Sequence, residues 1–266
     1  MLLIYKSVSD TLQLACDDID NYARSLPSNG NADIGSLVDT DIFERAKHGK
    51  SSNDNPSSTD FKTQVRQFLL YEKTRIRIAQ RLRRINETTT FVVYFGLWEI
   101  LGCSTLEKSR ALLAIEHSIT QLLSSLDTLA ENVDTPVKVV IPSMIDVTFL
   151  PWVQSMKHAT QEHFAEHQHQ AVFLWTYWNT VLRRTAKQWQ KGMIFMPDPD
   201  TLIMEQVRVA QLHSKGILDA SGLGKQAPLF EEVEQPCLAV KQDHGAAGLQ
   251  AAVVEKCADP THFLFW

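Results

Sequence analysis

The amino-acid sequence predicts an α/β fold, a single domain built on a parallel sheet with helices on both faces. Three observations predict it. Short apolar runs alternate along the chain with long stretches of helical periodicity, the pattern of strand–helix–strand units. Those runs are continuously apolar, as buried parallel strands read. The chain has 266 residues, 44% hydrophobic and 21% charged, which is ordinary for a globular protein and enough for one large core.

The elements follow in order. Leu2-Leu3-Ile4-Tyr5-Lys6 has a strand-like start. Residues 48–60 (HGKSSNDNPSSTD) are polar and rich in Ser, Asn and Asp, a surface loop. A helix is expected from Phe61 to Ile85, on Val65, Phe68, Leu69, Ile76, Ile78 and Leu82. Phe91-Val92-Val93-Tyr94-Phe95 is a strand that ends at Gly96. Leu106 to Glu131 is helical, with Leu112, Ile115, Ile119, Leu122, Leu123, Leu126 and Leu129 near helical spacing. Val137 to Ile141 is a second strand, stopped by Pro142. Ala159 to Lys191 is a long helix whose Trp175, Trp178 and Trp189 read as packing residues. Met193 to Met196 is a third, weaker strand, stopped by Pro197, and Thr201 to Lys215 a shorter helix. Residues 216–260 lack periodicity and hold many Gly, Pro and short polar residues. They are expected as a long irregular segment, uncommon unless it covers a site or packs along the body. No repeat and no clear linker divides the chain, so residues 1–266 read as one domain.

Charge and cysteine content narrow the function classes. The 26 Lys and Arg against 31 Asp and Glu leave a net charge of −5, with no bulk attraction for nucleic acid or an anionic membrane. No apolar run reaches the ~20 residues of a membrane span. MLLIYKSVSD is not a convincing secretory signal, so the chain as given reads as cytoplasmic by default, and as secreted if its N-terminus is incomplete. Four cysteines, Cys16, Cys103, Cys237 and Cys257, form no CxxC pair and no disulfide scaffold. Cys237 and Cys257 flank one loop-like stretch and could pair in an oxidising compartment; four reduced thiols is the equal alternative.

Several motifs invite a functional reading and each has a plainer one. Lys73, Arg75, Arg77, Arg81, Arg83 and Arg84 crowd one helix, as a phosphate-binding face would. Glu72 is the one acid among them and no aromatic interleaves, so a solvated helix face is expected, and no nucleic-acid partner. His163 and His167 share a helix face and His158 and His169 lie near, yet the HExxH order is absent. A polar surface helix is expected, with no metal and no cofactor. Ser221-Gly222-Leu223-Gly224-Lys225-Gln226 fails the phosphate-loop pattern, because Asp219 and Gln226 stand where a Gly and a hydroxyl residue belong. It reads as a turn. No GxSxG elbow is present.

Three segments in order resemble the GDSL/SGNH hydrolases, in particular the fungal lipase- and esterase-like members. Asp20-Asn21-Tyr22-Ala23 resembles the family's second block. Phe91 to Ile100 (FVVYFGLWEI) is similar to the third block, a strand running into Gly-x-Asn-Asp. Cys257 to Trp266 (CADPTHFLFW) resembles the stretch leading into the final Asp-x-x-His. The resemblance spans nearly the whole chain and implies a single three-layer sheet in flavodoxin-like order. It also implies acyl-ester chemistry, in which a Ser attacks the carbonyl, a His takes its proton and an Asp orients the His. A backbone N–H, the second-block Gly and the third-block Asn would hold the oxyanion.

The departures fall on the chemistry. Ser7 is the nucleophile candidate, with Tyr5 and Lys6 in place of Gly-Asp. Only 13 residues separate Ser7 from Asn21, short for the usual helix and loop. The favoured alternative assigns residues 7–16 to the helix before the second block and leaves the first strand missing, a state expected to be poorly soluble. The oxyanion region falls on Ala23, Gly96 and Trp98. Arg24 and Ser25 stand where small residues or Gly belong, Trp98 stands where the Asn donor belongs, and Glu99 stands for the second acid. An indole N–H is a single donor on a bulky ring. No Asp-x-x-His follows Trp266, and His262 lies upstream of that position, so the triad His and Asp are not assigned. The chain reads as a family member clipped at both ends. Two functions are expected of it: an ester hydrolase acting on a small-molecule or lipid ester, catalytically incomplete here, or a non-catalytic binding or accessory relative.

Overall fold

A computed structural model gives the structure of the chain and describes residues 2–7, 19–21, 37–49, 60–79, 88–133, 136–151, 153–154, 163–243 and 251–265. The elements in chain order are β1 (Leu2–Ser7), β2 (Ile19–Asn21), α1 (Thr40–His48), α2 (Phe61–Ala79), β3 (Thr88–Val93), α3 (Leu97–Cys103) and α4 (Lys108–Glu131). They continue with β4 (Val137–Val140), α5 (Phe164–Ala186), β5 (Gly192–Phe195), α6 (Pro199–Ser214), β6 (Glu232–Pro236), β7 (Leu238–Asp243), β8 (Ala251–Lys256) and β9 (Phe263–Phe265). Short 3-10 turns lie at Val147–Phe149 and Pro260–His262. Where the sequence reads as one domain, contacts gather into two compact units. One holds residues 1–147 and 165–198, the other residues 148–164 and 199–266.

The first unit carries the mixed α/β architecture. Its three predicted strands, β3, β4 and β5, are neighbours in that order and run parallel. The apolar positions explain the pairing. Phe91 and Val93 on β3 and Val137 and Val139 on β4 are buried, while Val92, Lys138 and Val140 between them are only half-buried. Registry places Val92 beside Val140 and Val140 beside Phe195, so these share the less covered face. On β5 that face is open, with Met193 60% and Phe195 66% exposed.

The strand order across the sheet is β2-β1-β3-β4-β5. Leu2–Ser7 form a strand beside β3, but it runs against β3, pairing Leu2 with Val93 and Ser7 with Thr88, so it is not the parallel first strand that the resemblance implies. Ser7 is strand rather than helix, and residues 8–16 of the helical alternative lie outside the described residues. Parallel neighbours need a crossover of a dozen or more residues, whereas antiparallel ones do not. The 11 residues from 8 to 18 between β1 and β2 suit the antiparallel solution, which the two strands adopt.

This order also corrects the expectation of helices on both faces. The connections β2 to β3, β3 to β4 and β4 to β5 join strands of the same direction and all step the same way across the sheet. Right-handed crossovers then put α1 and α2, α3 and α4, and α5 on one face. The contacts agree. The Phe68 ring of α2 meets Phe91 edge-on at 5.3 Å, Phe61 meets Phe95 at 5.0 Å, and α1, α2 and α3 all pack on α4. Along α4, Ala111, Ala114, Ile115, Ser118, Ile119, Leu122, Ser125, Leu126 and Leu129 are buried at three- and four-residue spacing. Taken by itself, the described part of this unit is thus layered on one side of its sheet.

α1 falls in a stretch for which the sequence reading predicts no element. Asp39 caps it, accepting from the N–H of Asp41 (2.9 Å) and Ile42 (3.4 Å), and Gly49 ends it at φ 72°. At nine residues the helix is short, with Ile42, Phe43 and Ala46 alone on its apolar face and no fully buried residue. Asp60 caps α2 through the Thr63 N–H at 2.8 Å.

The second unit replaces the predicted irregular segment with short strands. β6 and β9 pair in parallel, and β7 and β8 form an antiparallel hairpin. A disulfide joins Cys237 to Cys257, which settles the open cysteine question for this pair. Cys257 N–H donates to the Cys237 carbonyl (2.8 Å) and Cys237 N–H to Phe265 (2.9 Å), so the bridge stands where hairpin and strand pair meet. Val207 and Ala210 of α6 and Val233 of β6 make a small core with Phe149, Phe230 and Leu264. The Ser221–Gln226 stretch belongs to a turn, as expected. The Asp219 carboxylate accepts from the N–H of Ser221 (2.8 Å) and Leu223 (3.0 Å) and pairs with Arg208 at 2.8 Å.

Candidate functional site

The site the sequence points to is the turn after β3. β3 ends at Val93, and two residues later the chain turns at Gly96, whose φ of 125° is a conformation that side-chain-bearing residues rarely adopt. α3 starts at the next residue. Glu99, in its first turn, sends its carboxylate back so that Oε2 accepts from the Gly96 N–H at 3.1 Å. Oε1 accepts from the Val38 N–H at 2.5 Å, a segment 61 residues away in sequence. Glu99 is 2% exposed. Burial pushes its carboxyl up to about 6, against the backbone N–H bonds from Val38 and Gly96 that favour the charged form. One turn on, Cys103 is buried and its thiol is pushed up to about 12, by burial first and then by the Glu99 charge. A thiol in that state is no nucleophile.

The space beside Gly96 is taken. A Cβ built there would lie 2.6 Å from Cε2 and 2.9 Å from Nε1 of Trp178, which is fully buried on α5. Among the described residues the Trp178 Nε1 has no hydrogen-bond partner. Trp98, the residue in the oxyanion-donor position, is half-buried on α3.

The carboxyl ends of β4 and β5 are held just as firmly. The ladder continues past both strands, with Ile141 N–H donating to Phe195 and Ser143 N–H to Pro197, each at 2.9 Å. The buried Ser143 hydroxyl donates to Asp198 Oδ1 at 3.0 Å. Asn179 of α5 grips Met144 with both ends of its amide, accepting from its N–H and donating to its carbonyl, each at 2.8 Å. Trp175 Nε1 donates to the same carbonyl at 2.6 Å.

The structure brings some of the predicted site residues together and separates others. Gly96 and Trp98 lie in one turn. Ser7 does not join them. Its partner Thr88 begins β3, so about 17 Å of strand lies between Ser7 and the end from which the Gly96 turn departs. Asp20 and Asn21 form part of β2, while Ala23, Arg24 and Ser25 lie outside the described residues. Lys73, Arg75 and Arg77 belong to α2, and Arg81, Arg83 and Arg84 lie outside the described residues. His167 is on α5 and His163 immediately precedes it, whereas His158 is outside the described residues. Among the described residues no group of three or more His, Cys, Asp or Glu gathers as it would around a metal ion, and no helix is long and apolar enough to cross a membrane. His262 pairs with Glu231 at 3.1 Å and Asp259 at 3.4 Å, and the bond to Glu231 raises its affinity for a proton.

The feature that sequence reasoning missed is the double duty of Glu99. The Gly-x-x-Glu spacing before an apolar helix start carries the signal for its bond to Gly96, since it is half of a capping box. Nothing local in the sequence signals the bond to Val38. No protein-family model matches the chain, and no curated protein matches it.

Proposed function

We propose that the chain is a non-catalytic relative of the SGNH ester hydrolases, a binding or accessory protein for a small-molecule or lipid ester. The observation that carries this reading is the filled turn after β3. In the resemblance, this turn presents an oxyanion donor to an acyl group. Here Trp178 occupies the space beside Gly96, and Glu99 is committed to two backbone N–H groups. An oxyanion donor acts only if it reaches the position the oxygen will take. Ser7 lies at the other end of β3, which adds support.

The sheet supports the family reading in part. Its order β2-β1-β3-β4-β5 has the flavodoxin-like numbering, and three of its strands are parallel neighbours. The reversed β1 departs from that pattern and moves Ser7 away from the Gly96 turn.

The test pairs a serine-directed fluorophosphonate with a short-chain nitrophenyl ester. The expected result is no adduct and no turnover, while a non-hydrolysable long-chain ester analogue still binds. A labelled serine whose replacement abolishes turnover overturns the reading in favour of a working ester hydrolase.

A further inference from the structure

The Glu99 carboxylate is shared unequally between two segments. Oε1 takes the Val38 N–H at 2.5 Å, and Oε2 takes the Gly96 N–H at 3.1 Å. As an anion the group serves both, because each oxygen is acceptor-only. A proton changes this. The protonated oxygen becomes a donor and keeps only a weaker acceptor lone pair, so it holds a second hydrogen less well. The proton goes to the oxygen that loses less, and the longer bond marks that oxygen as Oε2.

We infer that Glu99 is a proton-operated latch on the β3–α3 turn: protonation at Oε2 loosens its hold on the Gly96 N–H and leaves the Val38 N–H bound. The surroundings suit such a latch. Val38 is held independently, because its neighbour Leu37 accepts from the Phe61 N–H at 3.0 Å and Asp39 caps α1. The Phe43 ring of α1 fills the space that a side chain on Gly102 would need, so α1 stays on α3 whichever state Glu99 adopts. Gly96 has no such second tether through its N–H. The ionisable groups around the carboxylate are few, and the N-terminal ammonium of the chain is one, its charge favouring the carboxylate anion. On its own helix there is the Cys103 thiol, neutral across the range concerned. From the α1 segment there is Asp39, 3.9 Å from Lys62 of α2. β3 contributes the Gly96 backbone, and α5 brings the uncharged Trp178 indole to that glycine. Burial favours the neutral carboxyl, with a midpoint at about 6. The latch stands apart from the functional reading above, since it concerns one turn of the folded chain.

The experiment is an NMR titration of the full chain from pH 7.5 to pH 5. It follows the Glu99 side-chain carboxyl carbon and the Val38 and Gly96 amides. The expected result is a single midpoint near pH 6, shared by the Glu99 carbon and the Gly96 amide. The Gly96 proton moves upfield as its acceptor weakens, and the Val38 proton stays in place. In Glu99→Gln the Gly96 amide no longer titrates. If that variant fails to fold, the wild-type titration decides alone. A Glu99 carbon that does not titrate above pH 5 overturns the inference. So does a Gly96 amide that ignores the Glu99 transition, or a Val38 amide that moves in its place.

Discussion

The six-membered ring of Trp178 lies where the side chain of residue 96 would begin. A Cβ on Gly96 would stand 2.6 Å from Cε2 and 3.0 Å from Cζ2 of an indole that is fully buried. The glycine and the tryptophan, 82 residues apart in sequence, therefore form one packing unit between β3 and α5.

Gly96→Ala breaks that unit in two ways. The backbone at φ 125° strains any residue with a Cβ, and the new methyl collides with a ring that has nowhere to move. The expected loss is about 3 kcal/mol or more, read as a fall in the denaturant midpoint. An alanine variant with an unchanged midpoint would show that the ring is not seated there.

The pH dependence of stability follows from Glu99. Its value is 4.5 ordinarily and about 6 in the fold, so the folded state holds the proton more tightly than the unfolded one. Its favourable contribution is full below pH 4.5 and is lost as the pH rises through about 6. The gap corresponds to about 2 kcal/mol. Between pH 7.5 and pH 4.5 the wild-type chain should gain roughly that much relative to Glu99→Gln, measured by urea unfolding at both values. A constant difference between the two proteins contradicts the linkage.

Asn179→Ala removes the acceptor of the Met144 N–H and one of the two donors to its carbonyl, past the carboxyl end of β4. Met144 is 1% exposed, so its N–H is left buried without an acceptor, while Trp175 still serves its carbonyl. The expected cost is about 2 kcal/mol. Hydrogen exchange at Met144 should rise more than at Ile141, whose N–H is bonded to Phe195 and not to the asparagine. Equal protection at Met144 in both proteins would place its N–H partner elsewhere.

The Cys237–Cys257 bridge closes a span with a sequence separation of 20. Closing a loop of that length restricts the unfolded chain, and on this entropic account the bridge stabilises the fold by about 3 kcal/mol. The Cys237→Ser, Cys257→Ser double variant should lose about that amount in the second unit. Alkylation of the denatured, unreduced protein should leave peptides holding Cys237 and Cys257 linked and unlabelled. Finding both alkylated without reductant rules the bridge out.

The strands β3, β4 and β5 were legible because each is a short apolar run stopped by Gly96, Pro142 or Pro197, signals that need no knowledge of neighbours. α4 was legible because its buried row repeats at helical spacing over the full length of the helix. The direction of β1 was not, since the same LLIYKS pairs either way and only the short connection to β2 argues for one. The strands from 232 to 256 were hidden because they are short and hold Glu, Gln, Lys and Asp among their valines. A covalent bridge and a pairing with residues 263–265 support them, not their own pattern. At the candidate site, Gly96 could be read as a strand terminator. The placement of Trp178 against it depends on how α5 lies on the sheet, which no local pattern encodes.

The one-way march of β3, β4 and β5 has a consequence for where a ligand can sit. Open α/β sheets take their ligands in a crevice at a topological switch point, where neighbouring connections leave the sheet in opposite directions. Here the connections that feed and join these strands all step toward the same side, so among the described residues they form no such fork. The first unit presents instead a sheet flank with Met193 and Phe195 open to solvent.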